Sequence, residues 1–296
     1  MERSLLAVYA GTFTLRFSTG LTGGLLSYYL AELPRHGGLE VDAFALSVFA
    51  ALFFTSELIL APPFGILSDR LGHHRVMQLG PLFGGVAVVL TWLTTNLTLI
   101  GGTRLLEGAS TAASVPSILG FIAVASAGDE LLRGRAAARF EGATLAGLGA
   151  GLVAAGLIYH VFGREGFLLN AGIYAISLLI YRFGVSEAVD PTPTAEALAA
   201  RSAGRAPSAS SHPGLQRYLQ IVTSSHVWLL APTWIAINAS LGLWTTQSIF
   251  QLVRKPEPQF ADQWLMGRAD PMQISFGLLV GLLVFFGGLA FWGDRF

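Results

Sequence analysis

The chain has 296 residues, of which 53% are hydrophobic and only 12% are charged. A soluble domain carries about 25% charged residues, so this composition excludes an ordinary soluble protein and indicates an integral membrane protein. The formal net charge is zero and there is no cysteine, which excludes a basic nucleic-acid-binding surface, disulfide bonds and thiolate metal sites.

The apolar residues fall in long continuous runs, which predict membrane-spanning helices. A helix needs roughly 20 apolar residues to cross the hydrocarbon core, whereas the strands of a membrane barrel alternate over about 10 residues. Eight runs have the helical length, at about 5–30, 43–67, 75–94, 97–126, 138–162, 165–184, 226–252 and 272–293. The sequence therefore predicts an all-α polytopic membrane protein with short connections between its first six helices.

A polar stretch interrupts this series after the sixth predicted helix. Residues 187–215 are rich in Pro, Ser, Thr and Ala, a composition that favours a flexible linker. The sequence LQRYLQIV at 215–222 fits either a short amphipathic helix on the membrane surface or an irregular loop. We therefore divide the chain into a six-helix bundle (1–186), a linker (187–222) and a partial second bundle of two helices (223–296).

Basic residues predict the orientation, because the cytoplasmic loops of membrane proteins carry an excess of Lys and Arg. With the N-terminus inside, the inner segments hold eleven Arg, whereas the outer loops hold four Arg and Lys255 among several acidic residues. We expect the N-terminus and the linker to be cytoplasmic, in a multi-pass protein of the cell membrane.

Two short sequence matches indicate an internal repeat. FSTGL (17–21) in the first predicted helix resembles ASLGL (239–243) in the seventh, and SDRL (68–71) after the second resembles GDRF (293–296) after the eighth. The offsets of 222 and 225 residues are nearly equal, which predicts a duplicated six-helix unit whose second copy has its first two helices. We expect this chain alone to transport poorly, and proton-driven flux in vesicles tests that expectation.

The most polar segment of the first bundle, GILSDRLGHHR at 65–75, lies between the second and third predicted helices. Its glycines bracket a tight reversal, and the segment resembles the signature G-x-L-x-D-R-x-G-R-R/K of the major facilitator superfamily. The matching positions are Gly65, Leu67, Asp69, Arg70, Gly72 and Arg75, the last of these one place beyond the usual basic pair. His73 and His74 occupy the places of that pair.

Two further segments resemble the same family in the expected order. RLLEGASTAASVP at 104–116 is similar to the fourth-helix motif R-x-x-x-G, which small residues and a Pro follow. RGRAAARFEGATLAGLGAGLVAAG at 133–156 is similar to the fifth-helix segment G-x-x-x-G-P-x-x-G-G, with Leu152 in place of the Pro and Ala155 in place of a Gly. The resemblance covers the whole chain and implies alternating access between two bundles, most like that of proton-coupled exporters.

The resemblance also implies a conformational latch for the outward-facing state, formed by Gly65, Asp69, Arg70, Gly72 and Arg75. On physical grounds, Asp69 can form an ion pair with Arg75, Arg133 or Arg135. It can also lie against the positive N-terminus of a helix in the other bundle. The alternative is that these residues only anchor helix ends and set the topology.

Four charged residues lie inside the predicted helices: Arg16, Glu57, Arg104 and Glu107. A charge at mid-bilayer costs at least a few kcal/mol unless it is paired or hydrated, so we expect all four to face the interior of the bundle. Arg16 and Glu57 lie at a similar depth, roughly 16 Å, and can pair, while Arg104 and Glu107 are one helical turn apart.

These charges are candidates for a proton-coupling network or a substrate contact, because a carboxylate that is buried in one state and exposed in another can exchange a proton. The alternative is that they form static pairs that fix helix packing. The resemblance matches Arg104 to a family arginine that is linked to proton coupling in exporters, whereas Glu107 stands where Gln is common.

Transporter sites lie near the midplane between repeats, so polar residues of the first and seventh helices are candidates for a substrate cavity. They are Thr14, Ser18, Asn238 and Gln247, whereas Tyr28 and Trp244 are of a type that more often anchors helices at the interface. On the fifth helix, a small-residue face that allows close packing is formed by Gly147, Gly151 and Gly156. The resemblance assigns this face to the contact with the eighth helix in antiporters.

We therefore expect a secondary active transporter that moves a small molecule by alternating access, coupled to protons and acting as an exporter. No catalytic residue, metal or cofactor is predicted, since motifs such as H-E-x-x-H and G-x-S-x-G are missing from the sequence. Two alternatives stay open. One is an importer of a nutrient or metabolite from the same family, and the other is a non-transporting membrane protein or subunit whose partner supplies further helices.

Overall fold

The computed structural model describes residues 2–186, 246–255 and 266–293, together with residues 232, 233, 236, 240 and 262. Within these residues all regular structure is helical, which confirms the predicted all-α class. The features predicted at Asn238 and at 215–222 lie outside the described residues. Residues 1–188 and 243–296 form one compact unit, residues 189–242 form another, and the three-part division of the chain stays a prediction.

Within the described residues, eight helices of six or more residues follow one another, and most of the predicted seventh helix (226–252) lies outside them. They are α1 (Glu2–Ala31), α2 (Ala43–Leu71), α3 (Leu79–Leu93), α4 (Leu97–Ala125), α5 (Glu130–Phe162), α6 (Gly166–Leu179), α7 (Ser248–Val253) and α8 (Pro271–Gly293). A helical turn at His73–Val76 precedes α3, and a π-helical turn at Ile180–Gly184 extends α6.

Two helices continue beyond their predicted ends where the chain leaves the lipid. α2 runs to Leu71, so that Asp69 lies in its last turn, and it ends at Gly72, whose φ of +94° is accessible to glycine at little cost. α5 begins at Glu130, well before the predicted 138, because the Asp129 side chain caps it. Charged residues outside the apolar core are good helix formers, so an apolar run underestimates helix length.

Five helical stretches of the described chain are long and apolar enough to cross a membrane. They are 43–71, 73–93, 97–125, 130–184 (which holds both α5 and α6) and 271–288. α1 has 30 residues but is not among them, because Gly, Ser and Thr are interleaved with its apolar residues. Its residues 20–30 are buried except for Gly23, so the bundle rather than lipid surrounds this part of the helix.

Polar side chains join α1 to α6 along most of its length. The hydrogen bonds connect Ser4 to Ser186 (2.7 Å), Thr12 to Tyr181 (3.3 Å), Ser177 to the Gly11 carbonyl (3.0 Å), and Asn170 to both the Ser18 carbonyl (3.0 Å) and Thr22 (2.8 Å). Such bonds connect helices in an environment where lipid offers no competing partner. α1 and α6 are therefore held together by hydrogen bonds as well as by packing.

Other helices pack closely at positions where a glycine lets two backbones approach each other. A Cβ at Gly108 of α4 would collide with the Phe53 carbonyl oxygen of α2 and stand 3.0 Å from the Glu57 nitrogen. The Ser56 hydroxyl donates to the Leu105 carbonyl at 2.6 Å across the same contact. α3 packs on α4, where the Ser110 hydroxyl donates to the backbone of α3, and α8 packs on α5.

Because consecutive helices are antiparallel, the bundle has two ends, which we name from the hairpin at 65–75. The hairpin end holds the start of α1 and the ends of α2, α4, α6 and α8. The far end holds the ends of α1, α3, α5 and α7 and the starts of α2, α4, α6 and α8.

Candidate functional site

A buried ion pair lies in the middle of α4. The Arg104 guanidinium donates to the Glu107 carboxylate one turn along the helix, and the two residues are only 9% and 3% exposed. The guanidinium also lies over the Phe53 ring of α2, 5.0 Å from its centroid. Gly108 makes this burial possible, because it lets α2 approach α4 beside the pair.

Within the described part of the chain, each partner of this ion pair keeps one buried polar atom without a hydrogen bond. These atoms are the Nε of Arg104 and the Oε1 of Glu107. Buried polar atoms in native proteins nearly always have partners, and those without one call for an explanation such as a bound water or a functional role. The pair thus has one donor and one acceptor available for a proton, a water or a substrate group.

The other two intramembrane charges approach this pair from α1 and α2 without pairing with each other. Arg16 and Glu57 are both half-buried, and no ion pair within 4.0 Å joins them in the described residues. Arg16 is nonetheless close enough for its positive charge to act on the Glu57 carboxylate. The Glu57 backbone nitrogen lies beside Gly108, so α2 carries Glu57 to its contact with α4. We name the four intramembrane charges, Arg16, Glu57, Arg104 and Glu107, the charge ladder.

At the hairpin end, the charged latch residues point into solvent. Asp69, Arg70 and Arg75 are exposed, and within the described chain none of them forms an ion pair closer than 4.0 Å. The ion pairs that the sequence predicts between Asp69 and Arg75, Arg133 or Arg135 are therefore not formed in the described structure. Gly65 faces Pro116 of α4 at 3.7 Å, measured from the position of a Cβ, so the end of α2 packs closely on α4.

The two histidines of the hairpin contact the neighbouring helices. The ring of His73 bonds to the Ser68 hydroxyl through Nδ1 at 2.6 Å and packs on Gly120 of α4. The Nε2 of His74 lies 3.0 Å from the Tyr181 carbonyl oxygen in the π-helical turn after α6. Sequence reasoning treated these histidines only as replacements for a basic pair, yet they attach the hairpin to α4 and α6.

The predicted cavity residues do not share one wall. Thr14 donates to the Ala10 carbonyl of its own helix at 2.8 Å, and Ser18 is fully buried against α6, with its hydroxyl unpartnered. Gln247 instead lies at the far end, where it donates to the Ala43 carbonyl (2.9 Å) and to Ser47 (2.7 Å) of α2.

A groove of about 490 Å³ lies between α2 and α4, on the side of α4 away from Arg104 and Glu107. Its lining includes Thr55, Ser56, Ile59, Leu60, Leu105 and Leu106. Of the predicted cavity residues that the structure describes, none belongs to this lining, which is almost wholly apolar.

The glycine face of α5 divides between two neighbours. A Cβ at Gly147 or Gly151 would collide with the backbone of α1, whereas a Cβ at Gly156 would collide with Pro271 and Ser275 at the start of α8. Hence only Gly156 among the three makes the contact with the eighth helix that the family resemblance implies for this face.

A helical bundle with several candidate membrane-spanning segments and a buried ion pair defines the class as a polytopic membrane protein. The Major Facilitator Superfamily profile matches residues 8–296. The chain therefore belongs to this family, which confirms the resemblance drawn from the hairpin and from the motifs of α4 and α5.

Individual relatives match a smaller part of the chain. The quinolone resistance protein NorA of Staphylococcus aureus is 28% identical over 126 residues, which are 42% of this chain and 30% of NorA. The multidrug resistance protein MdtG of Proteus mirabilis is 28% identical over 117 residues, which are 40% of this chain and 29% of MdtG. The matched segment thus spans under a third of the length of each relative.

A crystal structure of the peptide transporter POT in complex with sulfate has the same fold. It superposes with a TM-score of 0.53 at 17% identity, covering 99% of this chain and 69% of POT. At this identity the likeness supports the fold alone.

Proposed function

We propose that the protein is a secondary active transporter that exports a small molecule across the cell membrane by alternating access, in exchange for protons. The observation that carries this proposal is the buried Arg104–Glu107 pair with its two unpartnered atoms. Family membership supports transport, and the excess of arginine at the hairpin end supports a cytoplasmic location for that end.

We base the proposed proton coupling on the free-energy cost of a buried charge that has lost its partner. Removing the charge of one partner from a buried ion pair leaves the other uncompensated, at a cost of about 3–5 kcal/mol. If Glu107 takes up a proton, Arg104 must find a new negative partner or water. Glu57 on the facing helix is the available carboxylate, so protonation of one residue changes the contacts between α2 and α4.

The substrate class that we propose is a drug-like molecule of the quinolone type. The support is the similarity to a quinolone resistance protein and to a multidrug resistance protein, each over some two fifths of this chain. The apolar groove between α2 and α4 supplies a surface of the matching character.

The experiment measures quinolone binding to the purified protein in lipid nanodiscs by calorimetry in two buffers that differ in ionisation enthalpy. The titration is made at an acidic pH at which Glu107 carries a proton, and we expect binding to the wild-type protein to release about one proton there, since a single carboxylate exchanges it. Glu107→Gln should abolish the proton release, while Glu141→Gln, the same change at an exposed position of α5, should leave it unchanged.

Two results would contradict the proposal. Proton release that persists in both Glu107→Gln and Glu57→Gln would remove the charge ladder from coupling, and lack of quinolone binding would overturn the substrate class. Size-exclusion chromatography of each variant establishes that it is folded before the titration.

A further inference from the structure

Tyr174 is a buried tyrosine of α6 that lies close to the Arg104–Glu107 pair. It is 1% exposed, and its ring packs beside Gly84 of α3, where a Cβ would collide with the ring. Both charges of the pair act on its phenol, and the Glu107 carboxylate acts more strongly than the Arg104 guanidinium. The buried ion pair therefore has a neutral polar neighbour on α6.

The packing of α3 on α4 explains why Glu107 and Tyr174 are neighbours. Hydrogen bonds on one face of α4 join it to α3, from Thr91 to Thr103 (2.8 Å) and from Ser110 to the Gly80 carbonyl (2.6 Å). Glu107 is on the same face, one turn from each of these α4 residues, and Gly84 lies between the two α3 residues. The Glu107 side chain therefore projects from α4 at the height where Tyr174 packs on α3.

The hydroxyl of Tyr174 bonds to α1 in a way that leaves its oxygen able to accept. Its partners are the hydroxyls of Thr19 and Thr22. Each threonine hydroxyl has one proton, and both donate it within their own helix, to the Leu15 carbonyl at 3.0 Å and the Ser18 carbonyl at 2.9 Å. Tyr174 is therefore the donor to the threonines, and the lone pairs of its oxygen can accept a further hydrogen bond.

Asn170, one turn before Tyr174 on α6, fixes the position of this contact. Its Nδ2 donates to the Thr22 hydroxyl at 2.8 Å and to the Ser18 carbonyl at 3.0 Å. Asn170, Thr22 and Ser18 are all fully buried. Because several buried hydrogen bonds connect α1 and α6 here, the Tyr174 hydroxyl is held in one position.

Few charged groups lie on the helices that pack around Glu107. Within the described chain they are Arg16 on α1, Glu57 on α2, Arg104 on α4 and, roughly 20 Å along α4, His73 of the hairpin. α3 and α6 contain no charged residue, and the charges of α5 lie in its segment 130–141 and at His160. Tyr174 differs from these groups because it is neutral and can donate or accept a hydrogen bond without changing its charge.

We propose that Tyr174 is a positioning residue for Glu107, whose carboxyl group donates to the Tyr174 hydroxyl oxygen when it takes up a proton. The inference rests on the proposed proton exchange at Glu107. In the ionised pair the Oε1 of Glu107 has no partner among the described residues, and a proton on this oxygen makes it a donor that needs an acceptor. An unsatisfied buried donor is costly, so Tyr174 stabilises the protonated form and connects it to α1 through Thr19 and Thr22.

The test is a titration of the protein in nanodiscs from about pH 9 to pH 4, followed by infrared difference spectroscopy. The carbonyl band of protonated Glu107 is identified as the band that Glu107→Gln removes. Tyr174→Phe keeps the ring that packs beside Gly84 and removes only the hydroxyl. We expect this variant to move the band to higher wavenumber and its midpoint by about one pH unit towards acid, because losing one hydrogen bond lowers the proton affinity about tenfold.

Tyr181→Phe is the matched control, because it removes the same kind of bond to α1. The Tyr181 hydroxyl is also buried and bonds to Thr12 at 3.3 Å, but Glu107 is not among the charges that act on it. This variant should leave the Glu107 band and its midpoint unchanged. An unchanged band in Tyr174→Phe, or equal shifts in both variants, would overturn the role of Tyr174.

A further measurement uses the wild-type protein with isotope-labelled tyrosine. Its C–O stretch should respond at the Glu107 midpoint, and Glu107→Gln should remove that response; a spectrum without it contradicts the contact. If Glu107 does not titrate in this range, the proposed proton exchange and this inference both fail. If Tyr174→Phe titrates like wild type while quinolone binding still releases a proton, the role of Tyr174 alone fails.

Discussion

At the scale of single residues, Arg104 and Glu107 form an ion pair that the fold shields from solvent. The pair lies on one face of one helix, so its geometry is local, and the spacing alone predicts it. The Arg16 and Glu57 arrangement was less predictable, because it depends on how α1 and α2 are rotated relative to each other. The bond from His74 to Tyr181 had no sequence signal, since its acceptor is a backbone carbonyl of a π-helical turn 107 residues away.

We expect Arg104→Met to destabilise the protein by about 3–5 kcal/mol, because it leaves Glu107 buried without its partner. The double variant Arg104→Met, Glu107→Leu should recover most of that loss, since it removes both charges. Denaturant titration in detergent micelles measures the free energy of unfolding. Arg75→Met, at an exposed position without an ion pair in the described chain, should stay within about 0.5 kcal/mol of wild type. Additive losses in the double variant would contradict the expectation.

At the scale of helices, α1 packs mainly against α5 and α6. Its contact with α5 depends on glycines that the sequence showed as a small-residue face. The order of the described helices was predictable because apolar runs must match the membrane. The ends of the helices were less predictable. The first turns of α5 contain Arg133 and Arg135, and no apolar pattern in the sequence indicates that the helix begins there.

Gly151→Ala should force α1 and α5 apart, because the new methyl group would collide with the Phe17 carbonyl oxygen. Overpacking of this kind costs about 1–3 kcal/mol. Gly142→Ala is the matched control on the same helix, with nothing within 4 Å of the added Cβ, and it should gain up to about 1 kcal/mol through helix propensity. Thermal unfolding in detergent distinguishes the two, and equal effects would show that close packing at Gly151 is unimportant.

At the scale of the whole molecule, the two ends of the bundle differ in chemistry. The hairpin end exposes arginines, and the far end contains the ion pairs between α7, α8 and the first bundle. The family and the fold were predictable from the motifs, but the ion pairs of the far end were not, because they join residues more than 100 positions apart.

Labelling from either side of the membrane tests the orientation. Leu71→Cys introduces a thiol at the hairpin end and Leu39→Cys one at the far end, both at exposed positions of a chain without other cysteines. A maleimide that cannot cross the membrane should label Leu39→Cys in intact cells and Leu71→Cys in inside-out vesicles. The reverse pattern would place the N-terminus outside.

The hydrogen bonds between α1 and α6 have a consequence for biogenesis. Their partners lie 148 to 182 residues apart in the chain, and α1 is not among the stretches that are apolar enough to favour lipid by themselves. In α1 alone these groups bond only within their own helix, as the Thr22 hydroxyl does to the Ser18 carbonyl at 2.9 Å. The bonds that hold α1 to α6 can form only after α6 has been synthesised, so α1 acquires its interhelical hydrogen bonds late in the synthesis of the bundle.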